Sequence, residues 1–168
     1  MGRNGRSSSL KRRLSDVLQR APWMVSMGLR LLRWTRARFT AGVVGVVLNE
    51  QGEVLLVEHV FHAPDRWGLP GGWMERHELP DEALKRELYE ELGLRVAVLE
   101  PILIDRGRYK AHLDIAYRCR AENEVQRLSS ELLEYRWTPL NALPPMPPFH
   151  RAAVRAACNQ RVSEGKSL

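Results

Sequence analysis

The 168-residue sequence is short of several things, and each shortage narrows the reading. It has two cysteines, Cys119 and Cys158, far apart and in no metal-ligand spacing. That excludes a disulfide framework and suits free thiols in a reducing compartment, most simply the cytoplasm. No apolar run approaches the ~18 residues needed to cross a bilayer, and the start of the chain is too interrupted for a secretory signal. Acids are almost missing from residues 1–40, where Asp16 stands against ten Lys/Arg for a net +9. Residues 41–168 hold sixteen Lys/Arg and nineteen acids, a net −3. The basic character of the chain therefore belongs to its first segment, and its pI is no argument that the body binds nucleic acid. There is no internal repeat.

What is present suits one domain with a little left over. Residues 1–38 read as a basic extension, partly helical. Leu10, Leu14, Val17 and Leu18 repeat at helical spacing, Pro22 interrupts, and Met24, Met27, Leu31 and Leu32 repeat again. Residues 39–162 read as the domain, and 163–168 as a tail. Within the domain, "AGVVGVVLN" and "EVLLVEHV" are strand-like runs joined by "EQG" as a hairpin turn. "FHAPDRWGLPGG" reads as loop. "LRVAVLEPILID", "KAHLDIAYRCR" and "EYRW" read as strands, and residues 149–162 as a last helix. Strands with one long helix between them and one at the end imply an α/β layered domain.

Residues 71–94, "GGWMERHELPDEALKRELYEELGL", carry seven of the twenty acids. Pro80 at the first helical position, with Asp81 and Glu82 after it, starts a helix, although Leu79 occupies the cap where a hydroxyl is usual. Gly93 stops it. Leu84, Leu88 and Leu92 form the core stripe. Glu82 and Arg86 are spaced as an i, i+4 pair. Glu87, Glu90 and Glu91 share a face that holds no lysine, and like charges there repel. A hard divalent cation such as Mg²⁺, which takes a few carboxylates and substrate phosphate oxygens, would offset that repulsion. A solvated acidic face is the alternative reading of the same geometry.

The run Gly72-x5-Glu78-x7-Arg86-Glu87-Leu88-x-Glu90-Glu91-x-Gly93-Leu94 resembles the Nudix box at every defined position, and "WGLPGGWME" ahead of it looks like the same family. The resemblance implies an α/β/α sandwich with a mixed β-sheet and hydrolysis of a nucleoside diphosphate linked to a further group X. It implies Mg²⁺, with Mn²⁺ as a substitute, held by Glu87, Glu90, Glu91 and the Gly71 carbonyl. Arg86 matches the arginine that orients the glutamates, by pairing with Glu78 or Glu82. His77 departs from the glycine frequent just before Glu78, which bears on the loop's shape. Some relatives take their general base from a loop beyond the box. Here "SSELLEYRW" offers Glu131 and Glu134, and Glu131 is favoured because Glu134 begins a strand.

Arg66 is a candidate for a phosphate contact and Trp67 for stacking on a base, although a Trp so placed more often packs. Tyr109 is spaced like the tyrosine of diadenosine polyphosphate hydrolases, and the proline that tends to mark ADP-ribose pyrophosphatases is absent there. His59 and His62 have no third ligand and read as strand or loop. A nucleotide is the expected small-molecule partner, and nucleic acid is not required. Residues 1–38 have three readings: packing on the domain or on a second subunit, lying on an anionic membrane surface, or touching RNA or serving as an address. Rival functions are a (deoxy)nucleoside triphosphate or RNA 5′-end pyrophosphohydrolase, and a catalytically silent nucleotide sensor. The intact Glu87, Glu90 and Glu91 speak against silence.

Overall fold

A computed structural model describes residues 39–61, 65–107 and 111–164, together with Met27. The chain divides into two units, Met1–Arg38 and Phe39–Leu168. Met27 aside, the helices expected in residues 1–38 lie outside the described residues, as do His62 and Tyr109.

Among the described residues of the second unit, seven strands, two α-helices and one short 3-10 helix follow one another: β1 (Thr40–Val47), β2 (Val54–His59), β3 (Trp67–Gly68), β4 (Gly71–Trp73), α1 (Pro80–Leu92), β5 (Val96–Arg106), β6 (His112–Ala121), β7 (Leu132–Thr138), the 3-10 turn Leu140–Ala142 and α2 (Pro148–Glu164). One sheet has the order β4-β1-β6-β5 and the other β3-β2-β7. The first is mixed: β1 runs parallel to β6, while β4 and β5 pair antiparallel with β1 and β6.

Both faces of the central strands are buried, so their sequences read as nearly continuous apolar runs. Alternate residues go to opposite sides. Val43, Val47, Leu55, Val57, Ile115 and Cys119 face the α1 leucines in one core. Val46, Val54, Leu56 and Ala116 meet Ala153, Val154 and Ala157 of α2 in another. The outcome is an α/β/α sandwich with a mixed sheet. Burial also pushes the Cys119 thiol up to about 12, which makes it an unreactive core residue.

Three expectations change. The turn after β1 forms, with Asn49 N–H on the Glu53 carbonyl at 3.0 Å and Gly52 at φ 80°, but β1 and β2 then diverge into different sheets. Only the Leu48–Val54 bridge joins the two runs as a ladder. The stretch read as loop contains β3, paired with β2, and β4, paired with β1. Strands of two and three residues are too short to show a period. The last helix reaches Glu164, two residues into the expected tail.

Candidate active site

α1 forms as its punctuation requires. Pro80 takes N1, Leu79 is the N-cap, and Gly93 at φ 62° is the left-handed stop. Glu82 compensates for the missing cap hydroxyl, its Oε2 accepting the Leu79 N–H at 3.2 Å. With Leu84, Leu88 and Leu92 fully buried, the rotation of the helix is fixed. Glu91 is thereby drawn against the domain at 7% exposure, while the Glu90 side chain stays 58% exposed.

Arg86 organises the acids around it. Its Nε and Nη2 donate to the two oxygens of Glu78 at 2.8 and 3.0 Å, a bidentate clamp. Nη1 donates to Glu87 Oε1 at 2.9 Å and to Glu90 Oε2 at 3.3 Å. Nη2 also reaches the Trp73 carbonyl at 3.1 Å, tying β4 to α1. The partner is therefore Glu78, and the expected Glu82–Arg86 pair gives way: Glu82 is engaged at the cap, and the box loop folds Glu78 back over the guanidinium. That guanidinium and the Glu75 N–H hold Glu78 below the usual carboxylate range. Glu78 in turn holds the Arg86 proton more firmly than usual. The loop's shape has a local cost, since His77 sits at φ 69°, where glycine is at ease.

Glu87 lies under Gly72. A Cβ there would come within 2.6 Å of both Glu87 oxygens, so glycine makes room for the carboxylate. Burial pushes Glu87 up, Arg86 opposes, and the charges of Glu90 and Glu131 add. Burial pushes Glu91 further, to about 8; its Oε2 accepts the Gly71 N–H at 3.3 Å, which opposes, while Glu87, Glu131 and Glu90 raise it. Four acids thus share one electrostatic neighbourhood.

Glu131 reaches that neighbourhood from outside the box. It is exposed and immediately precedes β7, which starts two residues before Glu134. Glu134 lies inside the strand opposite Glu58. Trp67 packs against the α2-side core, and the Arg136 guanidinium lies 3.8 Å from its ring centroid. One face of the indole is thus covered. Arg66 is exposed, and its carbonyl accepts the His59 N–H at 2.8 Å. His59 is buried at the end of β2.

Among the described residues, no group of three or more His, Cys, Asp or Glu side chains is disposed to hold an ion as it stands. Glu87 is turned to Arg86 and Glu91 to Gly71. The donor set nevertheless suits a hard cation: oxygen ligands only, one of them buried, with a glycine leaving space at a second. What sequence reading missed is the segment Gln126–Ser129, which caps the end of α1. Those are tertiary contacts with no local pattern.

The NUDIX domain profile matches residues 38–157. The chain is 33% identical over 98 residues to a MutT-like protein of Streptomyces ambofaciens, covering 58% of this chain and 62% of that one. It is 41% identical over 70 residues to an RNA pyrophosphohydrolase of Cellvibrio japonicus, covering 40% and 41%. It thus spans less than two thirds of the length of these curated relatives. Among solved structures, a UDP-X diphosphatase superposes with a TM-score of 0.66 at 19% identity over 96% of this chain and 82% of that one, a likeness of fold. With the box carried on α1 and the profile running from β1 into α2, the chain belongs to the Nudix hydrolase family.

Proposed function

We propose that the domain hydrolyses the pyrophosphate bond of a nucleoside diphosphate linked to a group X, as a Mg²⁺-dependent enzyme that also accepts Mn²⁺. The observation that carries this is the gathering of Glu87, Glu90, Glu91 and Glu131 into one electrostatic neighbourhood, with Arg86 clamped beside it on Glu78. Glu87, Glu90, Glu91 and the Gly71 carbonyl would hold the divalent cation, which when bound neutralises phosphate oxygens as the anhydride breaks. Arg86 keeps the first two carboxylates aimed. Glu131 takes the proton of the attacking water as the water oxygen bonds to one phosphorus, and the P–O bond of the anhydride breaks to release the other phosphate, which keeps the bridging oxygen and its own substituent. Arg66, exposed just ahead of β3, is the proposed phosphate contact, and Trp67 and Tyr109 are the candidates for contacting the base.

A second reading, removal of pyrophosphate from a (deoxy)nucleoside triphosphate or an RNA 5′ end, is supported by the likeness to the Cellvibrio japonicus RNA pyrophosphohydrolase. A substrate panel separates the readings: ADP-ribose, UDP-glucose, diadenosine tetraphosphate, dGTP and 5′-triphosphate RNA, each with Mg²⁺. The Glu91→Gln variant keeps side-chain volume and removes a ligand charge, so kcat is expected to fall by roughly two or more orders of magnitude with the fold intact. Near wild-type turnover of this variant at saturating Mg²⁺ would refute the metal assignment, and an inactive wild type across the panel would favour the silent sensor.

A further inference from the structure

The last carbonyls of a helix lack partners within it. In α1, segment 126–129 and the glycine stop supply them. Tyr89 O accepts the Gly93 N–H at 2.9 Å and Arg127 Nη2 at 2.8 Å. Leu88 O accepts the Leu94 N–H at 3.2 Å, Glu91 O the Ser129 N–H at 2.8 Å, and Leu92 O the N–H groups of Gln126 and Arg127 at 2.9 and 3.2 Å. Asn123 Nδ2 adds a bond to the Gly93 carbonyl at 3.0 Å. The last turn of α1 has no basic residue of its own. Arg127 provides the cation that this negative end favours, from another part of the chain, and its guanidinium lies 5.2 Å from the centroid of the Tyr89 ring.

The same segment leads directly to Glu131. Ser129 Oγ accepts the Glu131 N–H at 3.4 Å, and Ser129 O accepts the Leu132 N–H at 3.2 Å. From the other side, the Val60 N–H donates to the Glu131 carbonyl at 2.9 Å. The backbone of Glu131 is therefore held between the end of the helix that carries Glu91 and the exit of β2. We propose that residues 126–131 form a latch that sets Glu131 against the α1 carboxylates, with Arg127 as its positioning residue. Arg127 contacts the helix end by an exposed hydrogen bond, so it acts on turnover through Glu131. The proposal rests on the reading of Glu131 as general base.

The test uses the full chain with Arg127→Ala, Arg127→Lys, Glu131→Gln and the Arg127→Ala/Glu131→Gln double variant, on whichever nucleotide of the panel above the wild type turns over. Arg127→Ala is expected to lower kcat on the order of tenfold, part of what a positioned base supplies, with KM changed less than about twofold. Arg127→Lys keeps the charge and one donor and recovers most of the loss. In the Glu131→Gln background, Arg127→Ala has no further effect, because the group it positions is already gone. In the metal-free protein, amide exchange at Ser129 quickens in Arg127→Ala. Equal fold losses in both backgrounds, or unchanged Ser129 exchange, overturn the latch while leaving the base assignment standing. A Glu131→Gln enzyme as fast as wild type overturns the base assignment and the latch with it.

Discussion

Glu91 sits where two demands conflict: the core buries it, and the proposed chemistry needs its charge. Its folded value near 8 lies above the ordinary 4.5, so across that window the folded chain holds a proton that the unfolded chain has released. The unfolded state binds fewer protons there, and stability must fall as pH climbs from about 4.5 to 8, then level off. Glu87 shifts the same way. Glu78 is shifted down, so its contribution is lost only as pH falls below the ordinary carboxylate value. Thermal melts in EDTA between about pH 5 and 8 are therefore expected to decline for the wild type and to flatten for Glu91→Gln. Parallel slopes would mean that Glu91 carries no buried proton. A divalent cation has to displace that proton, so Mg²⁺ should raise the melting temperature more at pH 8 than at pH 6.

Among the elements, α1 was the most legible because everything that defines it is local: Pro80 at the start, Gly93 at the end, leucines four apart between them. The long strands were legible as apolar runs. Their assortment into two sheets was not, since the turn at Asn49–Gly52 looks the same whether or not the strands beyond it stay paired. The helix pair predicted by spacing, Glu82 with Arg86, lost to Glu78, which arrives through a left-handed His77 that no helix rule describes. The edge strand β4 was hidden by its length, yet its two glycines do separate tasks. A Cβ on Gly71, at φ 144°, would overlap the Val43 carbonyl oxygen, which is backbone and cannot retreat. A Cβ on Gly72 would first meet the Glu87 carboxylate, the far end of a flexible side chain. Gly71→Ala should thus destabilise the fold by roughly 2 kcal/mol or more. Gly72→Ala should melt within a few degrees of wild type but lose most Mg²⁺-dependent turnover, because Glu87 is pushed aside. Melting curves and turnover of the two variants side by side check this, and equal damage to stability in both would contradict it.

At the scale of the whole molecule, charge and fold divide at the same place. The net +9 lies in residues 1–40, while the NUDIX match begins at 38 and every strand and helix of the sandwich lies at or beyond Thr40. The carboxylates, Arg86 and the Gln126–Glu131 segment all belong to the second unit, so every residue named in the proposed hydrolysis lies beyond Phe39. A chain starting near Arg38 is therefore expected to turn over a small nucleotide within a few-fold of the full chain. The apolar repeat of Met24, Met27, Leu31 and Leu32 sets a second expectation. If it covers an apolar surface of the domain or of a second copy, the truncated protein loses solubility or changes its elution in size exclusion. If the segment instead lies on an anionic membrane, truncation abolishes sedimentation with phosphatidylserine vesicles. The full chain then binds at low salt and releases at high salt, each basic residue near the surface contributing about 1 kcal/mol. Turnover, elution and sedimentation are measured on the same two proteins. Collapse of turnover in a soluble, folded truncation would show that residues 1–38 help to build the site, and the boundary at Phe39 would then separate charge without separating function.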